Sequence, residues 1–567
     1  MRYHILATDY DGTLSPYEKV TPDTIESLKK LKSSGRKLIL VTGRQIEDLK
    51  ALFPEHLLFD RIVAENGATI YNPGTLEERL LGARPLESFI DRLRELQIEP
   101  LEIGRVILST RQPHQGTVLN TIKEAGLEYQ LTFNKGAVMI LPPGINKSSG
   151  LNEVLKELTL SVHNTVAIGD AENDHAMLQS AEVAVAVENA LQPLKDEADW
   201  TTETPSNHGV MELIDHLLLD DLDWLAPHLK RHMIQIGQKS DGNAFCISPY
   251  GTNILVIGSS CCGKTTFTSA FLEQLSNKNY QFCLIDPEGD YLDLPGVVTM
   301  GDDKQPPIIA EIMKVLRESV QNLAICILAV PFYDRSEFFK NLLSNIANLY
   351  KDTGRPHFLV MDEAHHLVSS YLSASCIDPL KDLPNLFAIT TNSNLIHRDF
   401  LLKIDTVIIM GDSPEQAVSH FKKLVGITVE IPKHIVLQKG EILVWQNKES
   451  QLSFVRSELP KHFSRRHKRK YASGDMGADS FYFTGPERRL NLKASNLMIF
   501  IHIANTIDIV IWLFHLRRND YSNWFRGSIK DHELAQRTQK IENEEHDGEI
   551  SRQKILKLIQ NRYTGPA

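Results

Sequence analysis

Short apolar runs alternate with amphipathic helical segments over residues 1–220, a pattern that few folds accommodate. The run HILATD is followed by the helical pattern ESLKKLKSSG and then by a second apolar run, KLILVTGR. This alternation predicts an α/β fold with a parallel sheet, whose functional groups lie at the carboxyl ends of the strands. Four predicted strand ends carry such groups: Asp9 with Asp11, Thr42 with Arg44, Lys147, and Asp170 with Asn173 and Asp174.

Asp9 and Asp11 are carboxylates two residues apart, a pair typical of phosphoryl transfer to a carboxylate nucleophile. In such a reaction one aspartate attacks phosphorus, while the second protonates the leaving oxygen and then activates water. A divalent cation such as Mg²⁺ is required because carboxylates and phosphate repel each other. A hydroxyl and a lysine, here Thr42 and Lys147, would hold the remaining phosphoryl oxygens. The sequence therefore predicts an Mg²⁺-dependent phosphomonoester hydrolase.

The motifs that carry these residues resemble those of the haloacid dehalogenase-like phosphatases, in particular the Cof-type branch with a class IIB cap between its second and third motifs. DYDGT, VTGR, NKSSGL and GDAEND match four family motifs in order, and AENGATIY matches a further signature of that branch. The resemblance implies a Rossmannoid parallel sheet over residues 1–220, with a small cap inserted at residues 83–140. RPLESFIDRLRELQ and TVLNTIKEAGLEY predict two cap helices packed on strands. A small cap fits a compact phosphorylated metabolite, such as a sugar phosphate or phosphoglycolate.

The same resemblance assigns roles to individual residues. Asp9 would be the nucleophile and Asp11 the acid/base, while Thr42 and Lys147 would bind the phosphoryl group. The Mg²⁺ ligands and their support would be Asp9, the Asp11 backbone carbonyl, Asp170 and Asp174. Three further residues are expected to contact the substrate: Arg44, Asn66 and Asn173.

A second phosphate-binding motif, GSSCCGKTT, lies between the apolar run NILVIG and the helical pattern TTFTSAFLEQL. Glycines in such a loop let consecutive backbone amides point at phosphates, and the helix N-terminus favours negative charge. Lys264 would reach the β/γ oxygens, and Thr265 would hold Mg²⁺. The predicted ATP-binding residues are Gly258, Gly263, Lys264, Thr265, Thr266 and Asp362.

The predicted partner strand lies in HFLVMDEAHHL and ends in Asp362 and Glu363. These residues would supply an acid on the metal side and a base that polarises water, so the segment predicts ATP hydrolysis. His365 and His366 lack the HExxH spacing of a zinc site, and we expect them to couple or pack.

QFCLIDPEGDY and LFAITTNSNLIHRDFLLKIDTVIIM resemble the second strand and the sensor strand of the HerA/FtsK-like translocating ATPases. The resemblance implies a second P-loop α/β domain over residues 240–455. Two positions depart from that family: Asn392 replaces the sensor glutamine, and Met410 with Gly411 stand where an arginine is expected. Those ATPases act as rings in which a neighbour supplies the arginine. The departures therefore leave oligomer formation and DNA pumping open.

The charge is unevenly distributed along the chain. Residues 461–567 carry 19 Lys/Arg against 12 Asp/Glu, or +7, which leaves −18 for the rest of a chain with net charge −11. Six of these cations fall within Lys461–Lys470, and such a run favours a solvated linker over a nucleic-acid-binding segment. The acidic total argues against a protein that mainly coats nucleic acid.

Residues 476–567 predict a small, mainly helical C-terminal module of unassigned function. The apolar run Asn496–Phe514 contains His502, Asn505, Thr506 and Asp508, so we expect a buried helix followed by another element rather than a membrane span. The predicted core aromatics of the module are Trp512, Phe514, Tyr521, Trp524 and Phe525.

The chain opens directly on a predicted strand, with no signal peptide before it. Its six cysteines show neither metal-ligand pairing nor a secretory pattern. Both features favour a cytoplasmic protein.

The leading hypothesis is a phosphatase fused to an ATP-binding P-loop domain, and two alternatives stay open. One is a nucleic-acid end-processing enzyme that pairs a phosphatase with a polynucleotide kinase, or a HerA-like DNA-associated ATPase. Glu363, the DPEGD strand and the long spacing from Lys264 to Asp362 favour a translocating ATPase over a kinase. The other is an ATP-gated switch or scaffold in which catalysis is minor, which the departures at Asn392 and Met410 slightly favour.

Overall fold

The computed structural model describes residues 1–560 apart from 18, 260–261, 319, 332–333, 373–376, 384, 412, 427–434, 439, 447–451, 461–475, 477–478, 487–489 and 530. The predicted basic linker Lys461–Lys470 and Cys261 of the P-loop lie outside the described residues. By its internal contacts the chain divides into two compact units. The first is Met1–Pro287 with Gly296–Pro460, and the second is Glu288–Pro295 with Lys461–Ala567.

Residues 5–201 contain twelve strands, eight of which form one sheet. The strands are β1 (Ile5–Asp9), β2 (Lys37–Val41), β3 (Arg61–Ala64), β4 (Thr69–Asn72), β5 (Glu77–Leu80), β6 (Glu102–Ile103), β7 (Leu108–Arg111), β8 (Gln130–Asn134), β9 (Ala137–Leu141), β10 (Thr165–Gly169), β11 (Val183–Ala186) and β12 (Trp200–Thr201). The large sheet has the order β12-β11-β10-β1-β2-β3-β4-β5 and is parallel from β12 to β3. This confirms the predicted α/β fold with a parallel sheet.

Eight helices accompany these strands: α1 (Pro22–Ser33), α2 (Ile46–Leu52), α3 (Glu87–Glu95), α4 (Gln115–Glu124), α5 (Lys147–Glu157), α6 (His175–Ser180), α7 (Gln192–Glu197) and α8 (Ser206–Leu219). Every residue of β1, β10 and β11 is buried, as expected of parallel strands flanked by helices. The core of the sheet includes Leu28 of α1, Leu151 of α5 and Leu213 of α8.

The segment between β5 and α5 folds separately over the sheet edge. Strands β6 to β9 form an antiparallel sheet of order β6-β7-β9-β8, and the two predicted amphipathic helices are α3 and α4. Phe89 and Leu93 of α3 and Val118 and Ile122 of α4 bury their side chains in one apolar cluster with Ile140. The cap therefore has its own core.

A second, eleven-stranded sheet occupies residues 234–457. Its strands are β13 (Ile234–Lys239), β14 (Ala244–Ile247), β15 (Ile254–Gly258), β16 (Phe282–Asp286), β17 (Val297–Met300), β18 (Asn322–Cys326), β19 (Phe358–Met361), β20 (Leu386–Thr390), β21 (Thr406–Met410), β22 (Glu441–Gln446) and β23 (Ser453–Ser457). The order is β14-β13-β23-β22-β21-β15-β20-β19-β16-β18-β17, and the run from β21 to β17 is parallel. The helices of this region are α9 (Lys264–Asn277), α10 (Ile309–Arg317), α11 (Arg335–Thr353), α12 (Arg398–Leu401) and α13 (Pro414–Val425).

A buried polar network centred on Glu182 lies between the two sheets of the first unit. The Glu182 carboxylate accepts hydrogen bonds from His163 Nδ1 at 2.7 Å, Tyr280 Oη at 2.9 Å and Arg2 Nη2 at 3.2 Å. Burial opposes ionisation, but the hydrogen bond and charge of His163, together with His232 and Arg2, lower the pKa of Glu182 to about 2. The network thus holds an ionised carboxylate inside the protein.

Further hydrogen bonds cross the same interface. Arg355 Nη2 donates to the carbonyl of Thr159 at 2.5 Å, and His163 Nε2 lies 2.7 Å from the carbonyl oxygen of Lys278. Both ring nitrogens of His163 therefore face oxygen atoms, one on each side of the interface. Separating the two sheets would leave these buried polar groups unpaired, which costs free energy. The hydrogen bonds across the interface therefore hold the two sheets together.

The described part of the second unit contains a two-stranded sheet and five helices. These elements are β24 (Phe481–Phe483), β25 (Leu492–Ala494), α14 (Leu497–Thr506), α15 (Ile509–Leu516), α16 (Asp520–Gly527), α17 (His532–Glu544) and α18 (Gly548–Ile559). The apolar run of residues 496–514 is therefore two helices, and Asp508 begins the second by accepting a hydrogen bond from Val510 N. Along the described stretches of the chain, no helix is both long and apolar enough for a bilayer crossing.

Four of the five predicted core aromatics are buried in this module: Trp512, Tyr521, Trp524 and Phe525. Phe514 differs, because it is only half-buried, and the Arg518 guanidinium lies over its ring at 5.1 Å. Adjacent residues on a helix point in different directions, and His515 faces inward to contact Phe481. Phe514, one residue before it, is therefore turned away from the core.

Glu542 is a buried carboxyl group in the same module, and it predicts a pH-dependent stability. Burial raises the pKa of Glu542 to about 7, although it accepts a hydrogen bond from Ser522 N at 3.1 Å. The folded module binds this proton more tightly than the unfolded chain, whose glutamate pKa is about 4.3. The stabilisation is complete below that value and is lost as the pH rises to about 7.

We expect Glu542→Gln to remove this pH dependence from the unfolding transition reported by tryptophan fluorescence. Glu544→Gln, an exposed change on the same helix, should leave the dependence as in the wild type. If the stability of the wild type does not fall between pH 5 and 7 relative to that of the Glu542→Gln variant, the prediction is wrong.

Candidate active site

The three central strands of the first sheet end side by side at one edge. Asp9 ends β1, Thr42 follows β2, and Asp170 follows β10, while the sheet order places β1 between β10 and β2. Parallel strands bring their carboxyl ends to the same edge, so residues more than 150 positions apart in sequence become neighbours. All three side chains are buried.

Three carboxylates form a compact cluster at this edge. One oxygen each of Asp9, Asp170 and Asp174 lies within 4.8 Å of the others. Thr13 Oγ1 donates to Asp170 Oδ1 at 3.1 Å, and the backbone amide of Asp170 donates to Asp174 Oδ2 at 3.0 Å. Oxygen ligands at this spacing suit a hard divalent cation. The acidic cluster therefore fits a metal site.

Gly12 lets the first motif pass close to this cluster. Its φ is +85°, and a Cβ at that position would stand 2.2 Å from Asp170 Oδ2. A side chain there would displace the Asp170 carboxylate, which explains the glycine of DYDGT in structural terms.

Lys147 enters the cluster from the first turn of α5. Its Nζ donates to Asp9 Oδ1 at 2.5 Å and to Asp174 Oδ1 at 2.6 Å, and the side chain is 1% exposed. The helix begins here because Asn146 caps it, with Asn146 Oδ1 accepting from Ser149 N at 2.9 Å. Gly67 permits the close approach of this helix, since a Cβ on it would lie 1.9 Å from the Asn146 carbonyl oxygen.

The electrostatics of the cluster follow from burial and from neighbouring charges. Burial raises the pKa of Asp9, the Asp174 charge adds to the rise, and Lys147 opposes it. Burial also raises the pKa of Asp170, against a hydrogen bond from Lys135. Burial would lower the pKa of Lys147, but the charges of Asp174 and Asp9 outweigh it and raise that pKa. The site thus has three buried carboxyl groups for two lysine ammonium groups, those of Lys147 and Lys135.

Asp11 lies at the rim of the site, bound by an arginine. Arg44 Nε lies 2.9 and 2.8 Å from the two Asp11 carboxylate oxygens, and Arg44 Nη2 donates to Oδ1 at 2.6 Å. Arg44 was expected to contact the substrate, whereas its guanidinium here orients Asp11. Thr42 Oγ1 accepts a hydrogen bond from the Arg44 amide at 3.1 Å, so Thr42 and Arg44 form one turn.

Asn66 and Asn173, both predicted to contact the substrate, lie side by side. Asn173 Nδ2 donates to Asn66 Oδ1 at 2.9 Å, and both side chains are buried. Asn66 Nδ2 also contacts Met139 Sδ of the cap strand β9. The pair therefore lies where the cap meets the large sheet.

Sequence reasoning missed two residues that connect the cap to the site. The Glu65 carboxylate accepts hydrogen bonds from the amides of Arg105, Val106 and Ile107 at 3.0, 3.0 and 3.1 Å, which anchors the cap loop. Lys135, at the turn between β8 and β9, places its ammonium on Asp170 Oδ2. The AENGATIY signature contains Glu65, but nothing local to the sequence indicated where the tip of the cap hairpin would lie.

The residues predicted to bind ATP lie around the end of β15. Gly258 ends that strand, Lys264 begins α9 with Thr265 and Thr266 behind it, and Lys264 Nζ donates to the carbonyls of Gly258 and Ser259 at 2.8 and 3.0 Å. Gly263 precedes the helix with a φ of +104°. The described part of this motif therefore has a strand, a turn and a helix in the predicted order.

Asp362 and Glu363 follow β19, which is separated from β15 by the single strand β20. Two strand spacings of about 4.8 Å therefore place their backbone about 10 Å from the Gly258 strand end. His365 Nδ1 lies 3.4 Å from Glu363 Oε2 and 3.2 Å from Thr390 Oγ1 at the end of β20, so this histidine couples two strand ends.

Comparisons with known proteins address the first of these two sites. A sequence model of the haloacid dehalogenase-like hydrolases matches residues 6–112 and 97–214. Phosphoglycolate phosphatase 2 of Saccharolobus solfataricus is 32% identical over 220 residues, which cover 38% of this chain and 92% of that protein. The chain belongs to the haloacid dehalogenase-like hydrolases. The similarity concerns its N-terminal hydrolase domain, and it supports phosphatase chemistry there.

Other relatives of the hydrolase domain are similar over the same part. The phosphoglycolate phosphatase of Nitrosopumilus maritimus is 28% identical over 228 residues, covering 38% of this chain and 97% of that protein. A haloacid dehalogenase-like hydrolase from Bacteroides thetaiotaomicron with a solved structure has 20% identity, covers 38% of this chain and 99% of its own, and superposes with a TM-score of 0.33.

Proposed function

We propose that the hydrolase domain is an Mg²⁺-dependent phosphomonoester hydrolase that works through a covalent aspartyl-phosphate on Asp9. The observation that carries this proposal is the cluster of Asp9, Asp170 and Asp174 within 4.8 Å, with Lys147 bonded to two of the three. Three buried carboxylates face two lysines here, Lys147 inside the cluster and Lys135 on Asp170. A structural ion-pair network would not need the third carboxylate, because unneutralised buried charge is costly.

Each residue of the proposed site has a separate role in the reaction. An Asp9 carboxylate oxygen attacks phosphorus, the bond from phosphorus to the ester oxygen breaks, and Asp11 gives that oxygen its proton. Asp11 then takes a proton from water, which attacks phosphorus and releases Asp9 and inorganic phosphate. Lys147 holds a phosphoryl oxygen and balances charge, and Thr42 offers its hydroxyl to another.

The metal would be held by Asp9, the Asp11 carbonyl and Asp170, with Asp174 behind them. The hard oxygen donors and the excess of buried negative charge fit Mg²⁺, the cation that phosphatases of this family use. When bound, Mg²⁺ neutralises the carboxylates and the phosphate, so that the two can approach each other.

The substrate class follows from the small cap and from the relatives. Two of the relatives named above are phosphoglycolate phosphatases, and the cap brings Met139 against Asn66 and Lys135 against Asp170. These contacts hold the cap against the site, which favours a compact phosphorylated metabolite, because a macromolecular end would need the cap to stand clear of them.

Phosphate release from a panel of phosphomonoesters, with Mg²⁺ and with EDTA, tests the function. We expect turnover of small esters in Mg²⁺ and its loss in EDTA, with an acid-stable transfer of ³²P from substrate to protein on rapid quenching. Turnover that persists in EDTA, or an enzyme that never carries label, would contradict the proposed chemistry.

A second candidate function is ATP binding by residues 240–455, with hydrolysis at Glu363. It is supported by Lys264 at the start of α9 and by the sheet order, in which the strands ending at Gly258, Thr390 and Met361 are consecutive and parallel. Their ends share one edge, where a nucleotide phosphate would meet Lys264, Asp362 and Glu363 together.

We expect Lys264→Ala to weaken binding of a fluorescent ATP analogue about 10- to 100-fold, the value of a lost hydrogen bond to a charged group. Lys314→Ala, an exposed change on α10, is the control. Unchanged affinity in Lys264→Ala would contradict nucleotide binding here. A change in phosphomonoester turnover would favour the ATP-gated switch, and phosphorylation of a 5′-hydroxyl oligonucleotide would favour the end-processing enzyme.

A further inference from the structure

Two histidines and a glutamate form a histidine–carboxylate cluster in the buried network around Glu182. One ligand atom each of His163, Glu182 and His232 lies within 4.8 Å of the others. His163 Nδ1 lies 2.7 Å, and His232 Nδ1 3.8 Å, from the same oxygen, Glu182 Oε2. His163 precedes β10 and Glu182 precedes β11, whereas Asp170 follows β10. This cluster and the acidic cluster of the hydrolase site therefore lie at opposite ends of these strands.

The second ring nitrogen of each histidine faces a backbone carbonyl oxygen. His163 Nε2 lies 2.7 Å from the carbonyl oxygen of Lys278, and His232 Nε2 lies 3.3 Å from that of Ala181. Because a carbonyl oxygen only accepts hydrogen bonds, we assign the hydrogen to Nε2 in each ring, so a neutral ring presents its Nδ1 lone pair. Histidines that bind metals hold their second nitrogen in this way, since the hydrogen bond fixes the tautomer and the ring orientation.

Two lone pairs that face one carboxylate oxygen repel it unless a cation lies between them. The carboxylate is ionised, because its neighbours lower the pKa of Glu182 to about 2. Burial lowers the pKa of His232 against the charge of Glu182, which favours the neutral ring. A proton satisfies the 2.7 Å contact of His163, but the 3.8 Å contact of His232 is too long for a hydrogen bond.

The distances in the cluster suit a metal ion better than a proton. Two zinc bonds of about 2.0–2.1 Å at a tetrahedral angle separate their ligand atoms by about 3.3 Å. This value lies between the two distances from the histidine Nδ1 atoms to Glu182 Oε2. Small rotations of the two rings would therefore bring both nitrogens and the oxygen to bonding distance of one ion.

Neighbouring side chains hold the carboxylate in this orientation. Arg2 Nη2 donates to Glu182 Oε1 at 3.2 Å, on the oxygen away from the shorter histidine contact, and its guanidinium lies 3.6 Å from the centre of the Tyr250 ring. Tyr280 Oη donates to Oε2 at 2.9 Å, and its ring stacks on His163 with centroids 3.7 Å apart. Since a carboxylate oxygen has two acceptor positions, Oε2 can keep the Tyr280 hydrogen bond and also bind a metal.

We propose that His163, Glu182 and His232 bind a structural Zn²⁺ ion that fastens the linker of residues 220–233 to the hydrolase domain. Two imidazole nitrogens and a carboxylate oxygen suit zinc, whereas Mg²⁺ prefers oxygen ligands alone. His232 lies in the linker between α8 and β13, beyond the residues 6–214 that match the hydrolase family model. The third ligand therefore comes from outside the hydrolase fold. Its side chain is 13% exposed, which gives the ion a path from solvent.

Zinc binding by the untagged full-length chain, first stripped with EDTA and then freed of chelator, tests the site. We expect one Zn²⁺ per chain to survive gel filtration, measured by atomic emission, and the melting temperature to rise by about 2–5 °C. His232→Ala should weaken zinc binding by more than about 100-fold, because losing even an outer hydrogen-bond partner of a ligand costs about 10- to 100-fold. His208→Ala, an exposed change on α8, should bind zinc as the wild type does.

Asp170→Asn separates this site from the acidic cluster, which also offers zinc ligands. That variant should keep its zinc, and Co²⁺ bound in place of zinc should show the strong visible absorption of a tetrahedral site. His232→Ala should lose both signals. Zinc that is lost in Asp170→Asn and kept in His232→Ala would place the ion at the acidic cluster and overturn the proposal.

A wild-type chain that retains no zinc, and whose melting temperature does not respond to zinc, would overturn the proposal without any variant. In EDTA the wild type and His232→Ala should melt at similar temperatures, because neither then holds the ion. None of these readouts involves phosphomonoester turnover, so the zinc site and the proposed phosphatase function are tested separately.

Discussion

Replacing Asp9 with asparagine is expected to lower phosphomonoester turnover by at least about 10³-fold, because an amide cannot attack phosphorus as a carboxylate does. The fold should survive, since asparagine has nearly the same shape and removes one charge from a site with an excess of buried negative charge. Phosphate release under saturating substrate and Mg²⁺ measures the loss, and the melting temperature checks the fold.

The matched control is Asp23→Asn, an exposed aspartate in the first turn of α1. It should retain wild-type turnover. Turnover in Asp9→Asn within about tenfold of the wild type, a barrier change of only about 1.4 kcal/mol, would show that Asp9 is not the nucleophile.

Replacing Lys147 with methionine should give the largest loss of stability, together with loss of turnover. The change leaves Asp9 and Asp174 buried without their shared cation, and removing one partner of a buried ion pair costs about 3–5 kcal/mol. Thermal unfolding in EDTA measures this cost. Added Mg²⁺ should raise the melting temperature of the variant more than that of the wild type, because the metal supplies the missing positive charge.

Lys156→Met is the matched control, since Lys156 lies on the same helix α5 and pairs with Glu153 at the surface. Such exposed pairs contribute about 0.2–1 kcal/mol, so a small shift is expected. A Lys147→Met protein as stable in EDTA as the wild type would mean that Lys147 does not balance the carboxylates.

The acidic cluster was predictable because each motif combines a buried strand with polar residues at its end. Parallel strands converge at one edge, so HILATD and TVAIGD implied that Asp9 and Asp170 meet, although the sequence separates them widely. The helix start at Lys147 was also encoded locally, by the Asn146 cap.

The contacts that depend on how separate pieces dock were not predictable. Lys135 lies in the turn between β8 and β9, but its place on Asp170 depends on the angle between the cap and the sheet. Arg44 is predicted to contact the substrate, which stays a prediction, and its guanidinium binds Asp11 because the turn through Thr42 directs it there. The buried partners of Glu182 come from two sheets, and no spacing in the sequence connects them.

The Glu182 network connects the hydrolase domain to the part of the chain that contains the second sheet. Relatives of the hydrolase domain are covered almost end to end by the first 40% of the chain, so a comparable catalyst exists without a second sheet. Here, however, a cut after residue 220 would remove the hydrogen bond that Tyr280 donates to Glu182. It would also remove the hydrogen bond that Arg355 donates to the carbonyl of Thr159. The exposed face would carry an ionised carboxylate fitted to groups that are no longer present. We therefore expect that the hydrolase domain and the domain with the second sheet no longer behave as independent modules. Either domain could be transferred to another protein only together with the other.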